Sequence, residues 1–359
     1  MKTYDINAIA SRFNLGIEVS EISPLGEGFI NDTFIIKDSS GPRYILQRKN
    51  HIVFPDVPGM MDNIAKVTGH IRSKGGVTLK VAESGNGKLF WQDEEGNYWA
   101  VCEYIGNSVC YDKADSVSLA RKGGEGLGIF HRMVSDFDQP LVEVIKGFHN
   151  IRHRFNQWDE SVRRDAAGRV ASLSEEISWI ESRRSRMLSF WSEYESGLIP
   201  TRVIHGDTKL SNFLFDAKTG DCLCAIDLDT MMSSTVLCDT GDALRAYTNT
   251  GAEDDKDTGK VSMSMDYFKA YIGGYLSEMK DYLSPSEIKY LAFSGVYITF
   301  EQVLRFLMDY IDGDTYYKIA YPQHNLVRTR AQYALLCSME NQLPQMNEFV
   351  SRECGMSAE

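Results

Sequence analysis

Apolar positions along the chain change their spacing several times, and each change marks an element. Ile6, Ile9, Ala10 and Phe13 recur at helical spacing within 4–14, which predicts a short helix. From 17 to 49 the period drops to alternation. Ile17 to Ile22, the stretch 26–36 and Arg43 to Arg48 read as strands, with Gly26-Glu27-Gly28 as a turn in the middle piece. Met61, Ile64, Val67 and Ile71 restore the helical period over 60–73. Two more strands follow, near 89–91 and 98–104, parted by Asp93-Glu94-Glu95-Gly96-Asn97. Beyond Ile105 the chain turns helical. A helix over 115–134 puts Val117, Ala120, Leu127, Phe130 and Val134 inward, and the glycines at 123, 124, 126 and 128 call for close packing against a neighbour to offset their low helix propensity.

Two polar, charge-dotted helices are predicted over 151–169 and 174–196, with Arg183, Arg184 and Arg186 as a solvated face. About four helices fill 262–349. One opens at Ser284-Pro285-Ser286-Glu287, where serine caps and proline takes the first turn, and its polar stripe carries Glu301, Arg305 and Asp309. The fold class is therefore α+β, with a small, mostly antiparallel β region at 1–105, a larger, mainly α region at 106–359, and a hinge at about 103–108.

Composition narrows this picture. The chain has 359 residues, 43% apolar and 25% charged, as in ordinary soluble globular proteins of about two domains. A net charge of -12 offers no footprint for nucleic acid or an anionic membrane. The N-terminus lacks the apolar core of a secretory signal and no run suggests a membrane span, so a cytoplasmic location is expected. The seven cysteines form no Cys-x-x-Cys pair. Cys222-x-Cys224 shares one strand face, which suits packing thiols in a reducing compartment better than a metal site.

The densest chemistry lies at 203–229. A short apolar strand leads into His205-Gly206-Asp207, Asn212 follows after four residues, and twenty residues beyond Asp207 another apolar strand ends in Asp227. A single strand-end aspartate is ordinarily a turn former or helix cap. Together, these offsets are what a kinase catalytic loop requires: one carboxylate to accept the proton of the attacking hydroxyl, and an amide and a second carboxylate to hold magnesium. Asp229 either assists or is structural. His205 reads as a structural hydrogen bonder, and Asp239 and Asp242 as braces for the loop. The Gly26-x-Gly28 turn fits a lid over a nucleotide, and the backbone near Glu103 and Ile105 fits adenine.

Gly26-x-Gly28-x-Ile30-Asn31-x-Thr33, Gly41-Pro42-Arg43-Tyr44-Ile45-Leu46-Gln47, Asp207-Thr208-Lys209-Leu210-x-Asn212, Ala225-Ile226-Asp227-Leu228-Asp229-Thr230, Gly241-Asp242-x-Leu244-Arg245 and the block from Tyr321 to Arg330 carry a resemblance that runs nearly end to end. The chain resembles the aminoglycoside-phosphotransferase-like kinases and, within them, the bacterial N-acetylhexosamine 1-kinases. That resemblance implies a two-lobed, protein-kinase-like fold with magnesium ATP as donor. The implied reaction is phosphoryl transfer to the anomeric hydroxyl of N-acetylglucosamine or N-acetylgalactosamine.

By position, Asp207 would be the base and Asn212 and Asp227 the magnesium ligands. Gly26, Gly28, Asn31, Thr33, Gln47, Glu103 and Ile105 would serve the nucleotide, and Arg305, Tyr316 and Phe29, with Asp207, the sugar. Arg328 and Arg330 read as structural ion-pairing residues. Three positions depart from the pattern. Gln47 stands where such kinases usually carry a phosphate-pairing lysine, though the hexosamine kinases that the chain resembles likewise have glutamine there, which can still donate hydrogen bonds without the charge. Arg48 and Lys49 are adjacent, but an adjacent strand residue points to the opposite face. Phe29 replaces an expected histidine, and Ala246 an expected bulkier aromatic. A monomer or weak homo-oligomer is expected, with ATP and an N-acetylated hexosamine as small-molecule partners. Two alternatives stand beside this: a kinase of the same fold for homoserine, an amino alcohol or an aminoglycoside, and a non-catalytic nucleotide-binding pseudokinase.

Overall fold

The structure, a computed structural model, describes residues 4–26 and 30–356. In chain order the elements are α1 (Ile6–Ala10), β1 (Glu21–Pro24), β2 (Asp32–Asp38), β3 (Gly41–Lys49), α2 (Val57–Ser73), β4 (Trp91–Gln92), β5 (Tyr98–Glu103) and β6 (Ser108–Val109). Then come α3 (Val117–Met133), α4 (Ile151–Arg164), α5 (Ser174–Glu181), α6 (Arg184–Glu195), β7 (Arg202–Ile204), β8 (Phe213–Asp216), β9 (Cys222–Ala225) and β10 (Met232–Ser234). Four helices close the chain: α7 (Val236–Thr248), α8 (Met265–Met279), α9 (Pro285–Ile311) and α10 (His324–Glu353). The chain divides into two compact units. One comprises Met1–Cys110, Asp136–Lys146 and Leu214–Ser233; the other holds Tyr111–Ser135, Gly147–Phe213 and Ser234–Glu359.

The first unit is built on an antiparallel five-stranded sheet ordered β1-β2-β3-β5-β4. Partners across the ladder share a face, so Phe34, Leu46 and Val101 lie on one side and Thr33, Gln47 and Ala100 on the other. The first side packs Ile36, Leu46, Trp99 and Val101 against Ile9, Ala10 and Phe13. The second side faces a small cavity that Met61 and Ile64 of α2 also line. Asp56 caps α2 by accepting from the Gly59 amide at 2.9 Å.

The second unit is helical. α9 is long and apolar enough to cross a membrane by length and composition, the one such helix among the described residues. However, 83% of its apolar window is buried inside the protein, so its all-round apolarity is that of a core helix. The expected start is present as a full capping box between Ser284 and Glu287. The glycine-rich α3 packs tightly on α8, as its composition required. A Cβ at Gly124 would overlap the Tyr271 carbonyl, and one at Gly274 the Arg121 carbonyl.

Several sequence expectations need correction. The stretch 174–196 is two helices broken at 182–183, and 262–349 holds three α-helices because α10 runs for 30 residues through Pro344. Arg183, Arg184 and Arg186 do not form a simple solvated face. Arg183 pairs with Glu340 at 2.7 Å and lies over Tyr333, Arg184 bridges Asp159 and Glu181 over Phe155, and Arg186 lies over Phe293. Arginine stems and planar guanidinium groups join helices here by stacking as well as by charge.

Candidate active site

In the first unit the polar residues gather on the cavity side of the sheet. Gln47 and Lys49 are two apart on β3, so the pleat puts them on the same face. The Lys49 ammonium donates to Gln47 Oε1 at 2.7 Å and to Asp229 Oδ1 at 2.7 Å. Asp229 Oδ2 accepts from Asn31 Nδ2 at 2.8 Å, and Gln47 Nε2 donates to Thr33 Oγ1 at 3.3 Å. Against the sequence expectation, the alternation that excludes Arg48 includes Lys49, while Arg48 pairs with Asp32 at 2.7 Å.

Asp227 and Asp229 also line the cavity. Asp227 sits in the left-handed region at φ 56°, a backbone cost of order 1 kcal/mol that recurs at functional positions. Gly26, at φ 68°, uses the freedom that glycine has there. Gly28 and Phe29 lie outside the described residues. Neither Glu103 nor Ile105 lines the cavity. Glu103 pairs with Lys80 at 2.6 Å, and the Ile105 carbonyl accepts the Ser108 hydroxyl at 2.6 Å.

In the second unit β7 delivers His205 into a loop that two aspartates of α7 hold by its backbone. Asp239, fully buried, accepts from the amides of His205 at 2.6 Å and Gly206 at 2.8 Å, and from His131 Nε2 at 2.9 Å. Burial pushes the Asp239 carboxyl up, but the hydrogen bond and charge of His131, with His205, outweigh it and hold the pKa below the usual value. Asp242 accepts from the Thr208 amide at 2.9 Å, and the Thr208 hydroxyl donates to the Asp239 carbonyl at 2.7 Å. Both aspartates thus brace the loop. Gly206 takes φ 85°, which the loop reversal requires.

Asp207 emerges from this frame with an amide donating to His205 Nδ1 at 3.2 Å. Its Oδ2 accepts from Lys209 Nζ at 2.7 Å and Asn212 Nδ2 at 2.9 Å. Desolvation raises its pKa, but the adjacent Lys209 ammonium, reinforced by His205 and Asn212, brings it below the ordinary carboxylate value. Asn212 Nδ2 also donates to the Asp207 carbonyl at 2.8 Å. With its NH₂ group turned to these acceptors, its Oδ1 is presented as an acceptor or ligand.

The sequence offers no sign of His149, and it shows Glu301 only as part of a polar stripe. His149 Nε2 donates to the Gly206 carbonyl at 3.2 Å, and its Nδ1 donates to Glu301 at 2.9 Å. Burial alone would lower the His149 pKa; the Glu301 carboxylate more than compensates and raises it. Glu301, which Arg154 also contacts at 3.2 Å, is pulled down to about 2 despite its burial. His149 lies between elements with no periodic signal, so nothing local announces it.

Further along the second unit, Arg305 lies below the rings of Tyr316 and Tyr317, at 5.9 and 5.6 Å, and donates to Gln302 at 3.3 Å. Asp309 fixes the following loop by accepting from the amides of Thr315, Tyr316 and Tyr317 at 2.9, 2.8 and 3.0 Å. The Tyr316 side chain is left 68% exposed. Arg245, by contrast, is neutralised by Asp242 and Glu253. Arg330 pairs with Glu176, as expected of a structural residue, and Arg328 donates to the Lys318 carbonyl and Asn325.

A mixed α+β fold with an antiparallel sheet in its N-terminal region and helices in its C-terminal region, together with a braced carboxylate loop, is the fold of kinases. Solved structures agree. A microcompartment-associated aminopropanol kinase aligns at a TM-score of 0.67 and 15% identity, covering 95% of this chain and 98% of its own. An aminoglycoside phosphotransferase from Alicyclobacillus acidocaldarius gives 0.61 at 13%, over 96% and 98%. An amicoumacin kinase, solved with AMP-PNP, Ca2+ and Ami, gives 0.58 at 14%, over 95% and 94%. The phosphotransferase enzyme family (APH) matches residues 21–276, more than half of the chain. The protein belongs to that family of phosphotransferases.

Proposed function

We propose that this protein transfers the γ-phosphoryl group of ATP, with magnesium, to the anomeric hydroxyl of N-acetylglucosamine or N-acetylgalactosamine, giving the sugar 1-phosphate. The observation that carries the acceptor class is Arg305. Among the described residues its guanidinium has one long hydrogen bond, to Gln302, and forms no ion pair. A guanidinium presents five donors, which suit the hydroxyl and acetamide oxygens of a sugar and repel an ammonium group. A cleft for amino alcohols or aminoglycosides would place carboxylates there instead. Tyr316, exposed beside Arg305, offers a ring to a sugar face, and Phe29 is assigned to the same acceptor role from the sequence alone.

Asp207 orients the hydroxyl and accepts its proton as the sugar oxygen bonds to the γ-phosphorus and the bridging oxygen departs with ADP. Its depressed pKa keeps it ionised at neutral pH, and an anomeric hydroxyl, more acidic than an ordinary alcohol, asks little of a weak base. Asn212 and Asp227 would hold the metal. Both offer hard oxygen donors, and the hydrogen bonds made by Asn212 Nδ2 leave its Oδ1 as the donor atom. The bound ion would neutralise charge on the phosphates. Gly26, Gly28, Asn31, Thr33 and Gln47 are assigned to the nucleotide site, with the backbone at Glu103 and Ile105 at the base.

A coupled ADP assay with an acceptor panel tests this reading. Turnover with either N-acetylhexosamine, yielding an acid-labile phosphate, is expected. Turnover with aminopropanol, ethanolamine, choline, homoserine or an aminoglycoside in place of both sugars would overturn it. Arg305→Ala should raise the sugar KM by about tenfold while leaving the ATP KM in place, the loss of one charged hydrogen-bonding group.

A further inference from the structure

Among the described residues that line the cavity of the first unit, a triphosphate would meet two carboxylates, Asp227 and Asp229, and one cation, Lys49. Lys49 and Asp229 are almost completely buried, at 4% and 3% exposure. Stability is a poor reason for such a pair, since desolvation of two charges roughly cancels their attraction. Geometry supplies a better one. The Lys49 ammonium lies 2.7 Å from the tip of the Gln47 side chain, so a residue two places along the strand delivers its charge to where position 47 ends. Among the described residues two of its three N–H groups are engaged, one by Gln47 and one by Asp229, which leaves the third to donate. Asp229 holds Asn31 with its other oxygen, and Gln47 holds Thr33, so the same network fixes the residues that follow the Gly26 turn.

We infer that Lys49 is the residue that binds the nucleotide phosphates, with Gln47 and Asp229 as the positioning residues that set its ammonium. This rests on ATP being the phosphoryl donor. On nucleotide binding, the ammonium keeps Gln47 as its guide and shares its charge between Asp229 and a phosphate oxygen. The glutamine at position 47 is then no lesion: its carboxamide takes one N–H of a lysine rooted elsewhere and hands Thr33 a hydrogen bond at the same time.

Calorimetric titration with ATP and with adenosine tests the assignment. Lys49→Met should weaken ATP binding by about 10²-fold and leave adenosine binding within about twofold, since only the phosphates need the charge. Because Lys49→Met strands a buried carboxylate, Lys49→Met/Asp229→Asn, which removes both charges, is measured beside it and should show the same selective loss. The exchange Gln47→Lys/Lys49→Gln should regain at least about tenfold of the ATP affinity, as the ammonium reaches the same point from the other root. Arg48→Gln, on the opposite face, should bind ATP as the wild type does. Lys49→Met/Asp229→Asn retaining full ATP affinity and turnover, or losing ATP and adenosine equally, overturns the inference. A wild type that turns over with ATP beside an unimpaired Lys49→Met/Asp229→Asn overturns it alone. A wild type that binds no nucleotide overturns the donor reading along with it.

Discussion

The two polar clusters hold their charges by opposite means. In the first unit Gln47 and Lys49 reach Thr33 and Asp229 side chain to side chain, from β3, whose backbone the sheet already satisfies. In the second, Asp239 and Asp242 spend their oxygens on backbone amides of His205, Gly206 and Thr208. The difference follows from what each scaffold lacks. A sheet fixes its backbone, so its side chains are free to exchange partners when a ligand arrives. A loop has unpaired amides, and a carboxylate presented from a loop stays in place only if buried acceptors hold those amides.

This contrast predicts that the loop cluster is where single changes do most harm. Asp207→Asn keeps the frame and removes the proposed proton acceptor, so kcat should fall by about 10³-fold with ATP affinity unchanged. Wild-type turnover in that variant would remove Asp207 from the chemistry. Asp239→Ala takes away the acceptor of two loop amides and of His131 and should cost about 3 kcal/mol, read as a lower Tm and as lost activity together. A stable, folded Asp239→Ala variant with full activity would show that the loop needs no brace.

Glycines sharpen the same comparison. Gly124→Ala in α3 drives a methyl into the Tyr271 carbonyl and should destabilise by about 2 kcal/mol. Gly69→Ala in α2 meets open space at an ordinary helical position and should instead stabilise by about 0.5 kcal/mol in denaturant melts. Equal effects at the two positions would contradict the tight α3–α8 contact.

The smallest effect concerns pH. Glu301, lowered from 4.5 to about 2, contributes stability that is complete above 4.5 and disappears as pH falls through about 2. His149, raised from 6.5, contributes stability that is complete below 6.5 and is lost as pH rises through its folded value. His149→Gln should therefore destabilise more at pH 6 than at pH 9, read from melts at both pH values. A pH-independent loss would mean that His149 acts through packing alone.

Much of this was legible in the chain. The helical period at Met61, Ile64, Val67 and Ile71 located α2, Ser284-Pro285-Ser286-Glu287 located the start of α9, and the offsets among Asp207, Asn212 and Asp227 singled out the candidate chemistry. The glycines of α3 announced a close neighbour without saying that it would be α8. The pleat of a strand, with its period of two, also puts Lys49 beside position 47.

What local pattern could not supply was the far partner. Lys49 meets Asp229 across 180 positions, His149 meets Glu301 across 152, and Arg183 meets Glu340 across 157. Periodicity and capping are properties of neighbours in sequence, so they determine which stretches coil and which extend. The pairing of buried charges depends on which surfaces come to exclude water together. That is decided by tertiary packing, because only there does the cost of desolvating a charge select its partner.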